Sequence, residues 1–179
     1  FAAHIHRSGS IVWCCLPRFD SPPVFGNMMD GERGEGGEFR VGAPGRALGI
    51  QSYVRNTNIL ETRFESEGGS FRVIDFAPRF PLFGRNFRPT KLVRIVEPLS
   101  GAPLVEISCD PRLGWTKEKP RRDVGSNHIS YHGYESELRL TTNVPLSYLE
   151  GRPFALTERK HLVLAYGSPV EEPVDALAE

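Results

Sequence analysis

The residues best placed to do chemistry sit at a bend. In SGSIVWCCLPRFDSPPVF, residues 8–25, an apolar run from Ile11 to Leu16 stops at Pro17. Proline lacks the N–H that a central ladder needs and steers Leu16 away from helical dihedrals, so the run reads as a buried strand ending in a fixed corner. The corner carries Arg18, Phe19 and Asp20, opposite charges bracketing an aromatic. A brace for the bend is one reading, and a charged and aromatic rim for a binding pocket is the other. Asp20, Asp75 and Asp110 fall at strand ends or corners, where carboxylates can do acid or base work, but sequence gives no distances between them. Arg79 and Arg85 lie in PRFPLFGRNFRP with Phe80, Phe83 and Phe87, whose apolar area needs a partner in the core or in another domain. Trp115 and Tyr134 are candidates for exposed platforms, with Tyr131 beside them, whereas Trp13 reads as core.

Other groups read as structural. His4 and His6 share a strand face with metal-ligand spacing, but His128, His132 and His161 are remote in sequence, so no metal site is assigned. Cys14 and Cys15 have no activating histidine beside them and read as inert. Gly34, Gly36 and Gly37 precede a strand and lack a following Lys-Ser or Lys-Thr, so they form a turn rather than a phosphate loop. No cofactor is implied.

These groups need a β scaffold to position them. Ala2 to His6 and Ile11 to Leu16 flank Ser8-Gly9-Ser10 and predict a hairpin. Ser21 to Met29 reads as a helical turn, with Ser21 as its cap, Pro22 and Pro23 opening it, and Val24, Phe25, Met28 and Met29 on one face. Short strands are expected at residues 38–41, 50–55, 59–65, 71–76, 91–97, 104–110, 128–134, 137–142, 154–156 and 161–166, with 78–89 as a long ordered loop. Lys91 to Glu97 is nearly continuously apolar, as in a strand covered on both faces. No amphipathic helix of ten residues interrupts them, which predicts an all-β, antiparallel two-sheet sandwich with short helical turns.

The same motifs carry a resemblance. SGSIVWCCLPRFDSPPVF, DGERGEGGEFRV, YVRNTNILETRFESEGGSFRVIDFAPR and KLVRIVEPLSGAPLVEISCDPRLGW resemble, in order and spacing, the N-terminal domain of glycoside hydrolase family 15, which includes glucoamylase-like and trehalase-like enzymes. The resemblance extends weakly to HLVLAYGSP. Val12 departs from it, standing where many family members carry an acidic residue before the tryptophan. The family implies a supersandwich over residues 1–168 and a linker helix beginning in 169–179, leading to an (α/α)6 barrel that this chain lacks. It also places the catalytic glutamates in that barrel, so no catalytic residue is assigned here. The expected role is a non-catalytic domain that packs on the barrel of an enzyme hydrolysing α-glucosidic bonds. Arg18, Phe19, Asp20, Arg79, Arg85, Trp115 and Tyr134 are its binding or interface candidates. An independent carbohydrate-binding module and a docking or oligomerisation domain are the alternatives.

Composition narrows the partners. Twenty-two basic residues balance twenty-two acidic ones, for a formal net charge of zero, which disfavours duplex nucleic acid and anionic membranes. No apolar run approaches the ~20 residues that span a bilayer. Three cysteines, two of them adjacent, make a poor disulfide framework, and a cytoplasmic setting is expected. The partners expected are the chain's own catalytic barrel, a glucan or trehalose, and a second copy in a homo-oligomer.

Overall fold

The computed structural model describes residues 1–30, 34–82 and 84–167. Its first strands are β1 (Ala3–Ile5), β2 (Ser10–Cys15), β3 (Pro23–Phe25), β4 (Glu38–Gly42), β5 (Ile50–Tyr53), β6 (Leu60–Ser66), β7 (Gly69–Phe76) and β8 (Phe80–Leu82). They are followed by β9 (Arg85–Phe87), β10 (Lys91–Gly101), β11 (Leu104–Asp110), β12 (Arg121–Val124), β13 (His128–His132), β14 (Leu138–Thr142), β15 (Phe154–Ala155) and β16 (Lys160–Tyr166). One sheet runs β1-β2-β4-β11-β15 with β3 also on β2, and the second runs β12-β13-β14-β16-β10-β7-β6-β5. The expected two-sheet antiparallel sandwich is therefore the observed fold.

Alternation along the strands builds the core. Ile11, Phe39, Val41, Val105 and Ile107 of the first sheet face Phe64, Phe71, Val73, Leu92, Leu140 and Leu162 of the second, all buried. The opposite face of β10 buries Val93 and Ile95 beside Val163, a small second cluster that explains the uninterrupted apolar run in that strand. Gly9 turns the first hairpin at φ +79°, where a Cβ would stand 1.9 Å from the Val41 carbonyl oxygen, so glycine alone fits.

One buried charge ties the layers together. Arg94 of β10 is fully buried and donates to both Asp75 oxygens on β7, at 2.7 and 3.2 Å. It also reaches across to the first sheet, donating to the carbonyls of Phe39 and Gly9, each at 2.7 Å. Its guanidinium lies 4.9 Å from the centre of the Phe39 ring. A rigid planar fork can serve two sheets at once in this way.

Several expectations are corrected. Residues 23–25 form a strand rather than a helical turn, because Cys14 and Cys15 of β2 offer them a ladder, and Ser21 Oγ accepts from the Arg18 N–H instead of capping a helix. Met28 and Met29 follow in a separate exposed 3-10 turn. The 78–89 segment holds the β8–β9 hairpin, with the Phe80 and Phe87 rings 5.4 Å apart. β12 pairs with β13 although its sequence is wholly exposed and has no alternation. The expected linker helix at 169–179 lies outside the described residues. Among the described residues no helix is long and apolar enough to cross a membrane.

Candidate functional site

The corner is braced from within and leaves its aromatic free. After a cis Leu16–Pro17 peptide, Arg18 Nε donates to Asp20 Oδ1 at 2.8 Å and Nη2 to Oδ2 at 2.9 Å, a bidentate fork. Phe19 projects between them, 78% exposed. The hydrogen bond from Arg18 holds the Asp20 carboxyl below its usual range, so at neutral pH it is an acceptor and not a proton donor.

A second aromatic stands beside this bend. Trp115, 67% exposed, lies in the turn Gly114–Thr116, its ring 5.9 Å from that of Trp13. Gly114 packs on Pro22, two residues past Asp20, and the Arg112 N–H donates to the Val24 carbonyl at 2.9 Å. Lys117 pairs with Asp30, joining this turn to the one that carries Met28 and Met29. Trp13 is thus half-buried on the outer face and not in the core. The ladder explains why: His4 pairs with Trp13 and Ile5 with Ile11, so Val12 is an extra residue that flips the pleat between Ile11 and Trp13.

Tyr134 is a brace rather than a platform. Its hydroxyl donates to the Arg112 carbonyl at 3.0 Å, its ring meets Tyr166 edge-on, and burial pushes its phenol well above the usual range. Arg79 lines a groove of about 1290 Å³ between β1 and the β5–β6 hairpin, and Arg85 opens the exposed strand β9.

Ladder register brings all these residues to one end of the sandwich. Antiparallel pairing puts the start of β10 beside the ends of β7 and β16, and with them the start of β6, the end of β5, the start of β14 and the end of β13. In the first sheet the start of β1, end of β2, start of β4 and end of β11 coincide. The Tyr134 to Arg112 bond, and one from the Tyr131 hydroxyl to the Cys109 carbonyl at 3.5 Å, join these two ends. Gly167, the last described residue, is held there by the Glu137 carbonyl at 2.9 Å. Of eleven large apolar side chains exposed among the described residues, seven belong to this end, Phe19, Tyr53, Phe87 and Trp115 among them.

The carboxylates do not form a catalytic pair. Asp20, Asp75 and Asp110 are each gripped by an arginine: Arg18, Arg94 and Arg112. Burial raises the Asp110 carboxyl, but the Arg112 hydrogen bonds and the charges of Arg112 and Lys119 outweigh it and leave it lowered. A general acid needs the opposite shift. Burial pushes the Cys14 and Cys109 thiols up to about 12, which keeps them protonated and inert. Gly36 and Gly37 give close backbone packing, the Gly26 N–H donating to the Gly36 carbonyl at 2.8 Å. His6 bonds Ser8, His128 bonds Asn127 and His132 bonds Asp123. Among the described residues no group of three or more His, Cys, Asp or Glu side chains could hold a metal. What this end offers is an exposed aromatic surface around a rigid charged corner.

Comparison with known proteins gives this surface a context. The chain is 32% identical over 171 residues to the trehalase of Mycobacterium tuberculosis, covering 83% of this chain and 24% of that protein. It is 31% identical over 170 residues to the trehalase of Mycolicibacterium smegmatis, covering 83% and 25%. It is also 37% identical over 71 residues to trehalase 1 of Sulfolobus acidocaldarius, covering 40% and 12%. It thus spans a quarter or less of the length of these relatives. No solved structure matches it. The model of the family described as trehalase-like, N-terminal, matches residues 2–146, and the chain belongs to that family.

Proposed function

We propose that this domain is the non-catalytic N-terminal part of a glycoside hydrolase of trehalase or glucoamylase type, cytoplasmic, which docks on a downstream catalytic barrel through the end of the sandwich described above. The parent enzyme hydrolyses α-glucosidic bonds. The observation that carries the reading is Phe19, held 78% exposed by the Arg18–Asp20 fork beside Trp115, at the end where Gly167 leaves the last strand. A rigid loop that spends a bidentate ion pair on displaying an aromatic ring is suited to a protein partner. In this reading Arg18 and Asp20 set the angle at which Phe19 enters the barrel surface and shape the rim of its sugar pocket.

The test compares this chain with one extended through the downstream region, on trehalose, maltose and soluble starch. Glucose release by the extended chain alone supports the reading, and its preferred substrate separates trehalase from glucoamylase. Turnover by this chain alone overturns it. A second reading, a carbohydrate-binding module, draws on the exposed Trp115 ring beside the half-buried Trp13, a surface that could stack sugar rings. Affinity of this chain for maltooligosaccharides that is lost in Trp115→Ala would favour that alternative.

A further inference from the structure

The groove between the two sheets is bounded by two strand edges that no further strand pairs among the described residues. β1 ends one sheet and β5 ends the other. Near the first hairpin they are stitched together. Gly49 N–H donates to the Arg7 carbonyl at 2.8 Å, and the Gln51 side-chain amide reaches the carbonyls of Ile5 and His6 at 3.4 and 3.3 Å. Towards Phe1 and Tyr53 the two strands part, and the groove of about 1290 Å³ opens between them, lined by Phe1, His4, Tyr53, Leu60, Arg79 and Phe80.

The edges are of a kind that normally attracts partners. Val54 N–H donates to the Ile59 carbonyl, so by the alternation of an antiparallel ladder the backbone groups of Gln51 and Tyr53 point away from β6. Tyr53 is 69% and Ile50 72% exposed. The other edge of the same sheet is defended: β12 displays Arg121, Arg122 and Asp123. Position suggests the occupant. Leu92, at the far wall of the groove, pairs with Leu164 of β16, two residues before Tyr166, so the chain leaves the last strand at the same end of the sheet, next to that wall and about 19 Å across three intervening strands from β5, a span that a short extended segment crosses. The trehalases of M. tuberculosis and M. smegmatis, which this chain matches over most of its length, are about four times longer than the share it covers.

We propose that this groove is a strand-addition site, filled by an extended segment with aliphatic side chains from the downstream part of the same polypeptide, which pairs with the edge of β5 and closes the sandwich. This rests on the docking role proposed above and names the contact that makes it. Main-chain hydrogen bonds to Gln51 and Tyr53 would supply affinity, and side chains entering between Tyr53 and Phe80 would supply specificity.

Hydrogen exchange tests it, read by mass spectrometry on this chain and on the chain extended through the downstream region. The expected result is that amides in 51–54 exchange at least about tenfold more slowly in the extended chain. Tyr53→Pro, which removes an outward N–H at an edge position, abolishes that protection, while Tyr53→Ala keeps part of it. Should either variant fail to fold, Tyr53→Lys, a charge on an edge that discourages strand pairing, serves in its place with loss of protection expected. Unchanged exchange at 51–54 together with slowed exchange at 18–20 refutes strand addition and leaves the docking role standing. Unchanged exchange at both refutes both. Protection that appears in this chain alone and grows with concentration assigns the edge to a second copy and overturns the proposal.

Discussion

Asp75→Ala is the sharpest test of how the two sheets are held. The substitution leaves Arg94, fully buried, with two carbonyl partners and no counter-charge. Breaking a buried pair from one side costs about 3–5 kcal/mol. In a chain of this size each kcal/mol moves the unfolding midpoint by about 2–4 °C, so the loss is about 6–20 °C. Arg94→Met alone strands the Asp75 carboxylate and should cost a similar amount. The double variant removes both charges, and the Gly9 carbonyl still accepts from the Val41 N–H at 3.1 Å. It should therefore be more stable than the sum of the singles by about 2 kcal/mol or more. Thermal and urea unfolding of the four proteins, followed by circular dichroism, measures the cycle. A midpoint shift under about 2 °C for Asp75→Ala, or additive singles, would show that the clasp contributes nothing specific. Asp20→Ala is the control, since its pair with Arg18 is exposed and its loss should leave the midpoint unchanged.

Phe19→Ala and Trp115→Ala should change the stability of this chain by no more than about 0.5 kcal/mol, as exposed residues do, yet lower the stability or activity of the extended protein, read by melting and by glucose release. Asp110 and Glu61 carry carboxyls held below their usual range, in each case because arginine hydrogen bonds outweigh the upward push of burial. A depressed folded pKa gives stability that is present above the ordinary carboxylate range and lost as pH falls through the folded value. Melting temperature should therefore hold from neutral pH down to about 4 and drop below it, less steeply in Asp110→Asn and Glu61→Gln. At pH 8 a thiol reagent such as 5,5′-dithiobis(2-nitrobenzoate) should label none of the three cysteines in the folded chain and all three in urea, because burial raises each thiol. Rapid labelling of Cys15 in the folded state would refute that assignment of its environment.

The parts of the fold that obey a local rule were legible in sequence. The Ser8-Gly9-Ser10 hairpin, the alternation of β11 and the two-sided burial of β10 follow from turn chemistry and pleat period. What sequence hid were the places where a distant ladder decides. Val24, Phe25, Met28 and Met29 have helical spacing, but β2 supplied residues 23–25 with a pairing edge. Trp13 sits in an apolar run, and only the extra residue at Val12 turns it outward. Arg94 and Asp75 lie nineteen positions apart and meet because β7 and β10 pair in register. The corner was readable as a rigid charged bend, whereas its closeness to Trp115 depends on Gly114 packing against Pro22, a contact no spacing announces.

On the docking role proposed above, the two ends of the sandwich divide the work of stability and association. At the end away from Gly167, glycines let turns press together: a Cβ on Gly69 would lie 2.0 Å from the Ser100 carbonyl oxygen. The other end keeps Phe19, Trp115, Tyr53 and Phe87 exposed although each would be more stable covered. A domain with a complete core and an inter-sheet clasp does not need those rings to fold, so their exposure is better explained by what they meet. It follows that substitutions at the exposed end should separate the two properties, leaving the midpoint of this chain in place while weakening its hold on the rest of the polypeptide. Substitutions at the clasp should lower both together.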